Sequence, residues 1–118
     1  MIVRAANTLD TCNYNVYFLG SGSVLANIGG TNRNNMAALR AGTGKDAQSI
    51  NVNPQFTSTT TLRIDNDALI GKAAVLSFIQ FDFENHPRDP ETPDFGADEV
   101  IRSNTDLQTF GLERNFVP

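Results

Sequence analysis

Apolar and polar residues alternate along residues 12–19, with Tyr14, Val16 and Phe18 on one face and Asn13, Asn15 and Tyr17 on the other. A period of two predicts a strand with one face buried. Gly20-Ser21-Gly22-Ser23 turns the chain, and residues 24–28 read as a second short strand closed by Gly29-Gly30. Asn32 to Asn35 offer an N-cap to the one good helical run, Met36-Ala37-Ala38-Leu39-Arg40-Ala41. Met36 and Leu39 share a face of that helix, and Gly42 or Gly44 ends it. Alternation returns over residues 50–56, with Ile50, Val52 and Phe56 inward and Asn51, Asn53 and Gln55 outward. Pro54 has no N–H to give a ladder, so this strand is predicted to end there. Leu62 and Ile64 follow, then a turn at Asp65-Asn66-Asp67.

In residues 68–83 the apolar positions change phase: Leu76 and Phe78 belong to one face, Ile79, Phe81 and Phe83 to the other. A slip of one residue flips every side chain, which predicts a bulge, a corner or a strand buried on both faces. The short strands carry no Asn-Gly hairpin signal, and one helix interrupts them. Their Asn and Thr content suits a coiled solenoid, in which each strand pairs with the strand one turn earlier. A sandwich and an α+β domain are the competing arrangements. Residues 100–118 are mixed, with Leu107, Phe110, Leu112 and Phe116 as anchors if this tail docks; a disordered tail is the other reading.

Composition narrows the class. A chain of 118 residues with 40% hydrophobic and 19% charged residues fits one globular domain, here residues 1–99 with the tail set apart. The net charge is −4 and the nine Lys and Arg are scattered, which excludes a phosphate-tracking surface, so no nucleic-acid partner is expected. No stretch is long and apolar enough for a membrane span. The start Met1-Ile2-Val3-Arg4 lacks the apolar core and cleavage site of a signal peptide, so if the protein is exported this chain is expected to be a mature or an excised fragment of it. Cys12 is the only cysteine and reads as a small buried hydrophobe, with a reactive thiol as the alternative.

Chemistry concentrates in residues 82–99, which hold seven of the thirteen acidic residues, three of the five prolines and the one histidine. Pro87, Pro90 and Pro93 rule out a helix or a central strand, leaving a long ordered turn or cap. Asp82, Glu84, Asp89, Asp94, Asp98 and Glu99 supply the hard oxygen ligands that calcium takes, although not in EF-hand spacing. The competing reading pairs Arg88, the only cation of the segment, with Asp94 or Glu99 as a clamp. Paired carboxylates also serve glycoside hydrolysis, but a proline-rich cap is a poor frame for that geometry. His86 has no second histidine and reads as a solvated turn residue. The serines have no nucleophile-elbow context, and the glycine pairs lack phosphate-loop spacing. No catalytic residue is assigned. If Tyr14 and Phe18 face inward, Tyr17 is the aromatic left to stack on a glycan.

Several weak motifs occur in one order. They are Asn13-Tyr14-Asn15-Val16-Tyr17-Phe18, then Thr43-Gly44-Lys45-Asp46-Ala47-Gln48-Ser49 after the helix, then Asn53-Pro54-Gln55-Phe56. The last is Asp82-Phe83-Glu84-Asn85 with Arg88 and Pro93-Asp94-Phe95-Gly96-Ala97-Asp98-Glu99. This order resembles the C-terminal coils and cap of secreted bacterial right-handed parallel β-helix proteins of the pectate-lyase-like superfamily. Asn85 departs from the glycine usual at its position, and residues 68–72 match only loosely.

The resemblance implies a mainly β fold: a fragment of a right-handed parallel β-helix with one short helix and a C-terminal cap. It implies a bacterial secreted or cell-surface setting and says almost nothing about catalysis. The expected function is a non-catalytic structural and capping module serving adhesion or assembly. The alternative is part of a polysaccharide-binding or polysaccharide-cleaving β-helix. In the first reading Phe81, Phe83 and Phe95 plug the bore while Arg88 with Asp94 and Glu99 clamps the lid. The N-terminal edge then pairs with a preceding coil, a partner chain or a second copy. The expected cofactor is none, with a structural calcium on Asp82, Glu84, Asp94, Asp98 and Glu99 as the alternative.

Overall fold

A computed structural model describes residues 1–4 and 9–100. The tail expected at residues 100–118, with its anchors Leu107, Phe110, Leu112 and Phe116, lies outside the described residues except for Val100. The described chain is mostly irregular, with very short strands, one helix and small open sheets; no closed barrel is formed among the described residues. It divides into two compact units, Met1–Pro54 and Gln55–Pro118.

In the first unit, β1 (Ile2–Val3) pairs in parallel with β3 (Ala26–Ile28), Ile2 facing Asn27. β2 (Val16–Tyr17) pairs in parallel with β5 (Ile50–Asn51), Val16 facing Ile50. Contrary to the expectation of a chain without hairpins, β3 turns straight back into β4 (Thr31–Arg33), antiparallel, with Ile28 opposite Thr31. Only Gly29 and Gly30 remain for the loop, at φ 57° and 84°. Two consecutive positive φ angles define the hairpin turn whose twist matches its strands, and a Gly-Gly pair meets that demand as well as Asn-Gly does.

The helix α1 spans Met36–Thr43. Asn35 caps it, its side chain accepting the Ala38 N–H at 2.8 Å. Gly44 ends it at φ 67°, donating its N–H to the Arg40 carbonyl at 2.8 Å. A left-handed residue at this point costs glycine nothing. Met36 and Leu39 turn inward to join Leu25, Ala26 and Ile28 in the core, with Val3 and Tyr17 packed against them.

The alternation expected over residues 12–19 fails at Tyr14. Its φ of 54° breaks the extended chain and changes the phase of the residues after it. Tyr14 and Phe18 are exposed while Tyr17 packs inward, the reverse of the expected facing. Likewise the strand expected to run from Ile50 to Pro54 stops after Asn51, and Phe56, expected inward, is exposed beyond Gln55 at φ 52°.

In the second unit, a 3₁₀ turn, Asp67–Leu69, is capped by Asn66. Among the described residues, Ile64, Leu69 and Phe95 are its buried hydrophobic side chains. The phase slip expected near residue 78 is a corner, closed by the Ile79 N–H on the Leu76 carbonyl at 2.9 Å. The strands expected around it are not formed, and Val75, Leu76, Phe78, Ile79, Phe81 and Phe83 are exposed. Of the three phenylalanines expected to plug a bore, Phe95 alone is buried. The prolines dictate that difference: beyond the corner the chain folds back at once through an isolated antiparallel bridge, Phe81 to Pro87, rather than running on as a strand.

Candidate functional site

Among the described residues six polar or charged side chains are buried, and five of them are acids: Asp46 in the first unit, Asp82, Asp94, Asp98 and Glu99 in the second. Burying a carboxylate is costly unless donors converge on it. Where those donors come from decides what each site can do.

Asp46 sits just after the helix cap at φ 59°. Its N–H donates to the Cys12 carbonyl at 2.9 Å, which brings the carboxylate against the segment leading into β2. Four side chains donate to it: Ser49 Oγ at 2.6 Å, Asn15 Nδ2 at 3.1 Å, Tyr17 OH at 3.2 Å and Cys12 Sγ at 3.4 Å. The Ser49 hydroxyl also accepts the Asn15 N–H at 2.8 Å. Arg40, from the helix, donates to the carbonyls of Asp46 and Ser49 at 3.0 and 2.5 Å.

Burial pushes the Asp46 carboxyl up, but the Ser49, Asn15, Cys12 and Tyr17 donors together hold it below the usual aspartate value. The Cys12 thiol and the Tyr17 hydroxyl move the opposite way. Burial raises both, and the Asp46 charge beside them adds to it. A thiol kept protonated is a poor nucleophile, so Cys12 serves here as a donor. Tyr17, the residue expected to meet a glycan, spends its hydroxyl on Asp46 and its ring on the core.

Residues 82–99 are built from backbone donors instead. Asp82 Oδ1 accepts the N–H groups of Glu84 and His86, each at 2.8 Å, while Oδ2 accepts the Glu99 N–H at 3.0 Å. Asn85 turns this loop at φ 67°, a conformation that Asn tolerates better than most residues. Glu99 accepts the Asp89 and Asp94 N–H groups, both at 3.1 Å, and Arg88 Nη1 at 3.0 Å. Asp94 accepts the N–H groups of Gly71 and Val100 at 2.6 and 2.8 Å. Asp82 thus holds Glu99, Glu99 holds Asp94, and Asp94 holds Val100.

Of the expected clamp, Arg88 meets the Glu99 carboxylate but reaches Asp94 only at its backbone carbonyl, 3.0 Å away, and also bonds the Gly96 carbonyl. Burial raises the Asp94 and Glu99 carboxyls despite these donors. It raises Asp98 too, which the Ile64 N–H opposes and the charges of Asp82 and Glu84 reinforce. Asp82 goes the other way, its three backbone donors and His86 outweighing its burial.

Among the described residues, no three His, Cys, Asp or Glu side chains are grouped to share a metal ion. The five acids read as calcium ligands are spread over separate tasks. Asp82, Asp94 and Glu99 hold backbone, Asp98 accepts the Ile64 N–H at 3.3 Å, and Glu84 forms a two-pronged ion pair with Arg63. An open hollow of about 270 Å³ lies beside Arg63, Glu84, His86 and Asp98. His86 Nδ1 is 3.3 Å from Asp82 Oδ2, so the one imidazole is turned to the loop's own carboxylate.

Sequence reasoning singled out the second cluster and missed the first. Its one trace was the Asp46-x-x-Ser49 spacing, which is a short-range side-chain hydrogen bond waiting to close. Comparison with known protein families, characterised proteins and solved structures finds no match for this chain.

Proposed function

We propose that this chain is the non-catalytic closing module of a larger right-handed parallel β-helix protein of the bacterial cell surface or secretions, serving adhesion or assembly. The observation that carries this reading is the parallel pairing in the first unit. Ile2 faces Asn27 and Val16 faces Ile50, offsets of 25 and 34 residues. Both fall within the roughly 20–45 residues of a solenoid repeat. Parallel neighbours require a crossover, and the β3–β4 hairpin and α1 lie within the longer of the two.

Two further features support it. Asn85 takes a left-handed φ at the position where the resemblance has glycine. In the second unit the buried carboxylates are consumed in tying irregular backbone together, as a cap requires and a catalytic pair does not allow. β1 ends its sheet, so a preceding coil or another chain would add alongside it.

The test is the structure of a longer product of the parent gene that includes residues upstream of Met1. A strand laid parallel to β1 on its outer side is the expected result, and an antiparallel or absent neighbour overturns the reading. Retention of this chain on a panel of acidic and neutral glycans would favour the polysaccharide-binding alternative instead.

A further inference from the structure

Exposure of large apolar side chains is concentrated in one short stretch of the second unit. Phe78 is 80% exposed, and Val75, Leu76, Ile79, Phe81 and Phe83 lie between 43% and 52%. Six apolar side chains within residues 75–83 face solvent, and residues 73–81 carry no charge. A scattered exposed leucine needs no explanation, whereas a run of this density marks a surface that is covered in use.

We propose that residues 75–83 form a homotypic docking face, joining two copies of this chain about a two-fold axis. Charge points to a second copy. Residues 75–81 are uncharged, Asp82 is buried and Glu84 at the rim is paired with Arg63, so two copies that meet here bring no unpaired like charges together. Identical apolar faces are self-complementary, which is the condition for a closed two-fold contact. Area agrees. With each phenylalanine presenting 150–250 Å² in full, the six side chains expose on the order of 600 Å² per copy, or about 1,200 Å² for a pair, the lower bound of a specific interface.

The backbone of the stretch is suited to contact without rearrangement. It is pinned by Ala73 N–H on the Pro93 carbonyl at 2.9 Å, by the corner at Leu76 and Ile79, and by Arg88 N–H on the Gln80 carbonyl at 2.8 Å. The face is therefore presented by a held loop, which keeps the ordering cost of association low. This contact does not depend on the outer edge of β1 and stands apart from the solenoid reading.

Sedimentation of the full chain over a concentration series up to about 100 µM tests it, a range chosen for a small apolar contact. A concentration-dependent dimer is expected, with Phe78→Asp a monomer throughout and Phe78→Leu still a dimer. Because Phe78 is so exposed, the thermal transition of the Asp variant should be unchanged; if that variant fails to fold, Val75→Asp replaces it. Ile2→Asp, placed on β1, should leave the dimer intact.

A wild-type monomer at the highest concentration overturns the inference. So does association that survives Phe78→Asp but is lost in Ile2→Asp, which would assign it to the β1 edge. A chain cut after Val100 that dimerises when the full chain does not would mean that residues 101–118 occupy the face, and this too overturns it.

Discussion

Asp46 and Glu99 are both buried acids, one in each unit, and they are held in opposite ways. Four side chains converge on Asp46, three of them through a hydroxyl or thiol that rotates about a single bond. Glu99 is held by two backbone N–H groups and a guanidinium that itself grips two carbonyls. Side-chain donors can turn to water or to each other when their acceptor is lost. Backbone donors cannot turn without moving the chain. The three donors on Glu99 therefore carry more weight than the four on Asp46, and the second unit is expected to be the more brittle of the two.

The sharpest way to break this contrast is Glu99→Gln. It leaves the largely buried Arg88 without its counter-charge and, unlike a protonated carboxyl, sets an amide NH2 that cannot accept against the Asp89 or Asp94 N–H; a buried pair that loses one partner costs about 3–5 kcal/mol. Against the roughly 5–15 kcal/mol of a typical domain, that is enough to unfold the second unit first. The single histidine lies in the second unit and both tyrosines in the first, so the two can be followed separately. In urea the His86 resonance should move at lower denaturant while the tyrosine signal holds. Coincident transitions would show that the units are not independent.

Asp46→Asn comes next. The amide keeps the oxygen on which all four donors converge and frees only the second Tyr17 contact, while the remaining bonds lose their charged acceptor, so the loss is about 1–3 kcal/mol. Tyrosine fluorescence should report it in the first unit alone. A loss equal to that of Glu99→Gln would deny that rotatable donors soften the change.

Acid separates the units by sign. Asp46 in the first unit and Asp82 in the second have lowered carboxyls. The stability they contribute is present above the ordinary carboxylate range and is lost as pH falls through their folded values. Asp94, Asp98 and Glu99 are raised, so the folded chain binds protons that the unfolded chain has already released. Their effect on stability grows more favourable as pH falls through those raised values, and is unfavourable above them. At fixed temperature, the His86 transition should therefore move to higher denaturant as pH falls from neutrality toward the ordinary carboxylate range, while the tyrosine transition stays level. Below about pH 4 both should fall, and Asp46→Asn should flatten the fall in the first unit.

Local chemistry made part of this architecture readable from the chain. Asn35 and Gly44 bound the helix because a cap needs only neighbours within four residues. Arg88 found Glu99 because it was the one cation among seven acids. Hidden were features that depend on a single backbone angle or on distant partners. Tyr14 at φ 54° inverted the facing of Tyr17 and Phe18, and no periodicity reveals a lone left-handed residue of that type. The Asp82 bond to the Glu99 N–H spans 17 residues of proline-rich chain, where spacing carries no information. Pro87, Pro90 and Pro93 marked residues 82–99 as a turn or cap, but which N–H each acid holds is a property of the folded path.

Two neighbouring glycines repeat the lesson on the smallest scale. Gly44 stands at φ 67°, so Gly44→Ala must place a side chain in a left-handed conformation, at about 1 kcal/mol. No neighbour lies within 4 Å of the added methyl, so the loss is backbone strain alone. Gly42→Ala has the reverse problem: its methyl meets the Arg33 guanidinium, while the backbone is helical and gains about 1 kcal/mol of propensity. The guanidinium is the far end of a flexible side chain and swings aside, losing its contact with the helix. The two effects offset, and the tyrosine-reported transition should move by less than for Gly44→Ala. A larger loss at Gly42 would mean that Arg33, whose Nε is buried without a hydrogen-bond partner, is held as rigidly as the backbone donors around Glu99.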